Sequence, residues 1–262
     1  MPEFDREHFQ ALLHARWCGR NLEYHPTVGS TMDRARELAN EGCPEGAVVL
    51  ADEQTAGRGR KGRAWVSPPG ANLYFTVVLH PDARLLPRLA LAVPLAVRWG
   101  CWTVCQVRAR IKWPNDVVVG THKLAGVLID AELSGETPRF ALAGVGLNVN
   151  FDPANQPEVA SVATSLLAET GRLQSREAVL AAVLEALERR VELERQGHSI
   201  VDEYRDSLAM LGEWVELRSG DTVIHGKAVD IAPDGALVLR HEDGREVAYP
   251  AGELSLRPFP RP

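Results

Sequence analysis

A chain of 262 residues, 45% hydrophobic and 24% charged, has room for one large globular domain, or for a large one and a small one. Its net charge of −6 gives no overall attraction to nucleic acid or to an anionic membrane. No apolar run approaches the roughly 18 residues needed to span a bilayer, and the charged N-terminus lacks the apolar core of a signal peptide. Cys18, Cys43, Cys101 and Cys105 show no paired-motif spacing, and the 8 histidines show no metal-ligand spacing, so a reducing cytoplasm is the expected setting.

The first predicted helix covers residues 5–18, with Asp5 as N-cap, Phe9, Leu12, Leu13 and Trp17 on one apolar face, and Gly19 closing it. A short strand is expected at 22–25. Ser30-Thr31-Met32-Asp33 then places an acid three residues after a serine, a capping box that opens a helix to about Asn40, with Gly42 as its stop. Residues 46–51 (G-A-V-V-L-A) are a continuous apolar run, hence a buried strand.

That strand feeds into residues 54–65, Q-T-A-G-R-G-R-K-G-R-A-W. Arg58, Arg60, Lys61 and Arg63 crowd together there, with Gly57, Gly59 and Gly62 between them. Glycines at this density let successive N–H groups point into one concavity, which favours anions. The cations repel one another unless an anion sits among them. The segment therefore reads as a flexible anion clamp, for a phosphate. The same composition suits a solvated loop or an arm that touches nucleic acid. The spacing matches neither G-x-x-x-x-G-K-[ST] nor G-x-G-x-x-G, so the loop alone leaves these readings open.

Residues 72–80 form a strand rich in β-branched and aromatic residues, and 87–105 a mainly apolar helix kinked at Pro94. In 107–113, Val107, Ala109, Ile111 and Trp113 alternate with Arg108, Arg110 and Lys112, a strand with one basic face. Pro114-Asn115-Asp116 breaks it; 117–119 and 123–133 form a hairpin. Residues 139–150 are a further strand, with Gly144 and Gly146 where something approaches the backbone. After a proline-containing connection at 151–160, 173–196 is a long amphipathic helix and 199–211 a second, both for packing. From residue 212 only short strands are expected, at 214–218, 222–231, 237–240, 246–249 and 254–257, with turns at 219–221, 233–235 and 242–244. The pattern is α+β with a largely antiparallel sheet, followed by a small β-barrel as a second domain.

Taken in chain order, Ser30-Thr31, Gln54, Gly57 to Trp65, Lys112-Trp113-Pro114-Asn115-Asp116, Lys123-Leu124-Ala125-Gly126 and Gly144-Val145-Gly146-Leu147-Asn148 resemble the biotin–protein ligases (biotin–[acetyl-CoA-carboxylase] ligases). Any one of these motifs is weak, and their combination at these separations is specific. The resemblance is strong over about residues 22–150, and the C-terminal strands agree with it. It implies a class II aminoacyl-tRNA-synthetase-like catalytic domain with a mixed, largely antiparallel sheet over residues 1–211, and a small SH3-like β-barrel over 212–262. It also implies a two-step reaction. ATP and biotin give biotinyl-5′-AMP and pyrophosphate, with Mg²⁺ accompanying the ATP, and a lysine of a biotin carboxyl-carrier domain of a carboxylase then takes the biotinyl group. A homodimer is implied as well.

Position by position, the resemblance implies biotin contacts at Ser30, Thr31, Met32, Gln54, Arg58, Gly59, Arg60, Lys123 and Gly126. It implies ATP contacts at Trp65, Lys112, Asn115, Asp116 and Asn148, and catalytic charge from Lys123, Arg58 and Arg60. Asn115-Asp116 serves equally as a turn former, the metal ligands are left unassigned apart from Asp116 as a candidate, and Lys61 and Arg63 have no assigned role. Met32 departs from the small polar residue that the family carries after the Ser-Thr pair. Many relatives carry an N-terminal DNA-binding domain; none is expected here, and no nucleic-acid partner with it.

The residue types suit this chemistry on their own terms. A carboxylate meeting a triphosphate brings two anions together, and fixed cations stabilise the charge that grows on the phosphate oxygens. The mixed anhydride hydrolyses readily, so a glycine-rich loop ending in an aromatic can close over it as a ligand-ordered lid. The rivals are a relative that activates lipoate or another acyl acid, and an RNA-binding arm on a non-catalytic scaffold.

Overall fold

In the computed structural model, which describes residues 3–156, 158–219, 221–251 and 255–258, seven strands share one sheet. They are β1 (Leu22–Val28), β2 (Val48–Gln54), β3 (Leu73–Leu79), β4 (Arg110–Lys112), β5 (Asp116–Val119), β6 (His122–Ser134) and β7 (Thr137–Leu147), in the spatial order β1-β2-β3-β7-β6-β5-β4. β1 and β2 run parallel and every other pair runs antiparallel, so the sheet is mixed and largely antiparallel, as expected. Six helices accompany it among the described residues: α1 (Arg6–Leu12), α2 (Thr31–Asn40), α3 (Leu86–Cys105), α4 (Leu166–Thr170), α5 (Arg176–Arg195) and α6 (Val201–Ser207).

Strand alternation sorts the central side chains onto two faces. Leu73, Phe75, Val77 and Leu79 of β3, with Ala141, Ala143 and Val145 of β7, join the core beneath α3 and α5. Val78, Phe140 and Leu142 turn the other way and meet Met32, Ala35 and Ala39 of α2. β3 is buried at every position for that reason. A sheet covered on both faces holds its register firmly, because a one-residue slip would exchange the two cores.

The structure corrects several boundaries. The first helix ends at Leu12, and Trp17 lies outside it. The carboxylate of Glu188 on α5 accepts the backbone N–H groups of Arg16, Trp17 and Cys18 at 2.9, 2.8 and 3.0 Å, which holds this stretch out of helix. The strand expected over 107–113 is paired only at Arg110–Lys112. α3 runs from Leu86 to Cys105 with Pro94 inside it. α4 was not foreseen, although Ser165 caps it and Gly171 closes it with φ 69°. The helix expected over 199–211 stops at Ser207, beyond which Ala209 N–H donates to Ile111 at 2.8 Å and the chain runs along β4.

The C-terminal strands β8 (Trp214–Ser219), β9 (Thr222–Ile231), β10 (Leu237–Arg240), β11 (Glu246–Tyr249) and β12 (Ser255–Pro258) form an antiparallel sheet in the order β11-β10-β9-β8-β12. Among the described residues β11 and β12 do not pair, so the barrel is not closed. Residue 254, expected to open the last strand, residue 220 of the expected 219–221 turn, and residues 1–2 lie outside the described residues. The second sheet meets the first where the Trp113 indole N–H donates to the Gly235 carbonyl at 3.1 Å.

α3 and α5 approach closely at Gly100. A Cβ there would lie 2.5 Å from Val183 Cγ2 and 3.0 Å from the Val183 nitrogen, which is backbone and cannot swing aside. Gly100→Ala is expected to destabilise the fold by about 1–3 kcal/mol through overpacking. Chemical denaturation followed by circular dichroism measures this, and an unchanged midpoint would mean that the helices are not in such contact.

Candidate active site

The glycine-rich segment folds back on itself between β2 and β3. Gly59 N–H donates to Arg63 at 2.7 Å and Trp65 N–H to Gly57 at 3.0 Å, with a single turn of 3-10 helix at Arg60–Gly62 forming the tip. This flap covers a cavity of about 500 Å³. Of the residues predicted for the site, all but Asn148 line it: Ser30, Thr31 and Met32 from the start of α2, and Gln54 from the end of β2. Arg58, Gly59, Arg60 and Trp65 come from the flap, Lys112, Asn115 and Asp116 from β4 and β5, and Lys123 and Gly126 from β6.

The inner end of the cavity carries no charge. Gln54 Oε1 accepts from Thr31 N–H at 2.9 Å and from Thr31 Oγ1 at 3.1 Å, and Thr76 Oγ1 donates to Thr31 Oγ1 at 2.9 Å. Ser30 stands at the N-cap of α2, as the capping box predicts, yet its hydroxyl makes no cap hydrogen bond. Ser30 Oγ is buried without a partner among the described residues, and so is the Trp65 indole N–H. Buried polar groups are almost always satisfied, so two orphans in one cavity point to a ligand that supplies their partners.

The floor is made by glycine. Gly126 of β6 and Gly146 of β7 are direct cross-strand partners, and the Trp65 indole packs against both. A Cβ on Gly146 would lie 2.4 Å from the indole, and one on Gly126 2.8 Å from it. Lys123 Nζ sits 5.0 Å above the centre of that ring and 2.7 Å from Asp116 Oδ1. On the next turn of the floor, Gly144 leaves room for Met32, whose Sδ would be 2.6 Å from a Cβ. The sequence marked Gly144 and Gly146 as places of close approach; what approaches is Met32 in one case and Trp65 in the other.

The outer end is strongly basic. Among the described residues, Arg58, Arg60, Arg63, Lys112, Lys123 and Arg257 line the cavity with a single carboxylate, Asp116. Arg58 reaches Asp33 on α2. Arg60 donates to Asn115 Oδ1 at 3.1 Å and to the Ala251 carbonyl at 3.2 Å, and its burial pushes the guanidinium pKa down. Asn115 is also a structural bracket, donating to the Val127 carbonyl at 2.8 Å while its own carbonyl accepts from Val127 N–H at 2.9 Å. The turn and the site readings of this residue therefore coexist.

Asn148 is elsewhere. It is buried, and its amide donates to the Thr164 carbonyl at 2.9 Å and to the Lys123 carbonyl at 3.4 Å, so it braces the backbone behind Lys123. The segment it braces runs beside Lys123, whose N–H donates to Val162 at 2.8 Å. Of the lining that sequence reasoning missed, Val127 and Leu128 continue β6 beyond Gly126, while Val162, Leu256 and Arg257 come from further along the chain. Val162 sits in an irregular loop and the other two on a strand of the second sheet, and no local pattern ties either to this cavity. No three His, Cys, Asp or Glu side chains among the described residues are grouped as a metal site.

A family model described as the biotin/lipoate A/B protein ligase family matches residues 24–148, and one described as the biotin protein ligase C terminal domain matches 210–257. The bifunctional ligase/repressor BirA of Bacillus subtilis is 34% identical over 238 residues, 89% of this chain and 73% of that protein. The biotin–[acetyl-CoA-carboxylase] ligase of Paracoccus denitrificans is 37% identical over 234 residues, 86% of this chain and 96% of that one. Among solved structures, the Aquifex aeolicus biotin protein ligase in complex with biotin and ATP superposes with a TM-score of 0.79 at 32% identity, covering 92% of this chain and 100% of the other. With a site built from the family's motifs and relatives 34% and 37% identical over most of this chain, the chain belongs to the biotin protein ligases.

Proposed function

We propose that this chain activates biotin with ATP and transfers it to a lysine of a biotin carboxyl-carrier domain. The observation that carries the reading is the cavity's polarity among the described residues: six basic side chains with one carboxylate at the outer end, and an uncharged inner end with an unsatisfied hydroxyl. Biotin has the matching polarity, a neutral ureido ring joined through an apolar chain to a carboxylate. Ser30, Thr31 and Gln54 offer donors and acceptors to the ring, with Met32 against its apolar side. Arg58, Gly59, Arg60 and Lys123 face the carboxylate end over the Gly126 floor.

In the first step a biotin carboxylate oxygen attacks the α-phosphorus of ATP, and the bond to the β-phosphate oxygen breaks as pyrophosphate leaves. Lys123 stands where both the carboxylate and the phosphate can reach it; with Arg58 and Arg60 it stabilises the charge of the transition state. Lys112 extends the positive field toward the leaving phosphates, and Trp65 offers its ring to the adenine. In the second step the lysine amine of the acceptor attacks the acyl carbon, the carbon–oxygen bond breaks, and AMP leaves with that oxygen and the electron pair. No covalent nucleophile from the protein is required. Asn148 acts from behind, through the backbone of Lys123. Mg²⁺ commonly binds through one or two carboxylates plus substrate phosphates. Asp116 is the residue that fits that role, and the ion would supply further charge neutralisation on the phosphates.

The finer architecture follows the same reading: a class II aminoacyl-tRNA-synthetase-like unit over 1–211 and an SH3-like unit over 212–262, the latter supported by its five short antiparallel strands. A homodimer carries over from the resemblance alone, and sedimentation velocity tests it; a cytoplasmic setting rests on the unpaired spacing of the cysteines.

Purified protein given ATP, Mg²⁺ and biotin is expected to release pyrophosphate and to biotinylate a carrier domain. Silence in both assays would end the ligase reading, and activity with lipoate in place of biotin would shift it to the acyl-acid relatives. Lys123→Ala should slow adenylate formation by at least about a hundredfold, with little change in melting temperature because the amine is partly exposed. A variant that unfolds while keeping its activity per folded molecule would make Lys123 structural. Gly146→Ala should push the indole off the floor and raise the KM for ATP about tenfold or more, measured by steady-state kinetics alongside tryptophan fluorescence. Unaltered kinetics would mean that Trp65 does not meet the nucleotide.

A further inference from the structure

A buried polar cluster outside the cavity joins the two roots of the flap. Asp52 lies two residues before Gln54 in β2, and Asn72 directly precedes β3; they are 8% and 1% exposed. Asp52 pairs with Arg176, itself 5% exposed, which comes from the first turn of α5. The Tyr24 hydroxyl donates to the other Asp52 oxygen at 2.8 Å. Arg176 also donates to the Asn72 carbonyl at 3.4 Å. The Asn72 amide donates to the Tyr74 hydroxyl at 2.9 Å, and that hydroxyl donates to the Pro68 carbonyl at 3.2 Å. Gly70 N–H closes the circuit on the Asp52 carbonyl at 3.2 Å, and Asn72 Oδ1 accepts from Val149 N–H at 2.8 Å.

A buried ion pair gains little over well-packed apolar residues as a source of stability, because desolvation offsets the attraction. What it does provide is direction, since each hydrogen bond fixes an angle that a methyl contact would not. Here the directional bonds converge on residues 52 and 68–72, the segments from which the flap leaves and to which it returns. Asp52 and Gln54 lie on the same face of β2 by strand alternation. A tilt at Asp52 therefore moves Gln54, and with it the contact to Thr31.

We propose that Asp52, Arg176, Asn72 and Tyr74 are positioning residues that lock both roots of the flap, so that it closes as one unit and holds the acyl adenylate until the acceptor arrives. The inference rests on the ligase reading of the site. None of these four residues lines the cavity, so the network acts through Gln54 and the flap and not on the substrates.

The test compares the partition of the adenylate, released to solution or transferred to the carrier domain, in wild type, Tyr74→Phe and Arg176→Lys. Tyr74→Phe cuts the strap to Pro68 and leaves the Asp52 pair in place, whereas Arg176→Lys keeps the charge but not the second reach to Asn72. Both are expected to raise the released fraction about threefold or more while pyrophosphate release per folded molecule stays within about twofold. Trypsin should also cut at Arg58, Arg60 and Arg63 faster in the variants than in wild type, relative to sites elsewhere. A network that merely supports the fold would lower the melting temperature and leave partition and relative cleavage unchanged, and that result would overturn the proposal. If Tyr74→Phe does not fold, Arg176→Lys decides alone. Should wild type make no adenylate, the ligase reading fails, while the trypsin comparison still judges whether the network holds the flap.

Discussion

Like charges held close together are the constraint on which the rest of this molecule depends. Two cations about 4 Å apart repel by roughly 4 kcal/mol at the effective permittivity of a protein surface, and six basic side chains line one cavity here. The protein offsets that repulsion with local acceptors. Asp116 takes Lys123, Asp33 takes Arg58, and Asn115 and the Ala251 carbonyl take Arg60. The sheet fixes the two lysines, Lys112 on β4 and Lys123 on β6, because its central strands cannot shift register without exchanging two cores, whereas Arg58 and Arg60 stand on the flap and rely on their own acceptors.

The same sheet supplies the surface on which the aromatic and the cation meet. Gly126 facing Gly146 across β6 and β7 removes two side chains at one level of the ladder, which leaves a shelf as wide as an indole. Trp65 fills the shelf and Lys123 stands above it at cation–π distance. The two glycines are 20 residues apart in sequence and carry no shared local signal. Their meaning comes from pairing.

How much of this was legible in the sequence depends on how local each cause is. Alternation in β3 and the amphipathic run of α5 are written in consecutive residues, and both elements stand close to where they were placed. The early end of the first helix is not local: it follows from Glu188, some 170 residues away, drawing three amides out of helical geometry. The cavity shows the same division. Short motifs named most of its lining, because each motif is a contiguous piece of backbone that the fold brings to the cavity. Val162 and Arg257 reach it only through tertiary folding. Asn148 sits inside a motif of its own but does not line the cavity, and its amide donates to Thr164 and Lys123. Motif membership identified the neighbourhood and left the direction of the side chain to the fold.

The flap is held by polar contacts and one aromatic side chain. Among the described residues these include two backbone hydrogen bonds at 2.7 and 3.0 Å, one turn of 3-10 helix, and the reach of Arg58 to Asp33 and of Arg60 to Asn115 and Ala251; apart from Trp65 its tip contributes glycines and cations, not apolar area. Segments with few buried contacts are the first to open. A cover that must admit two substrates, exclude water and then admit a protein has to be weak in this sense, because each kilocalorie that holds it shut slows entry by the same factor that it slows escape. Strength is placed instead at the roots, in a buried network with directional bonds, and under the proposed function at a ligand whose anionic groups would face the cations. The flap's position then depends on what lies beneath it, which is how a loop of glycines and arginines can keep a reactive intermediate without being rigid.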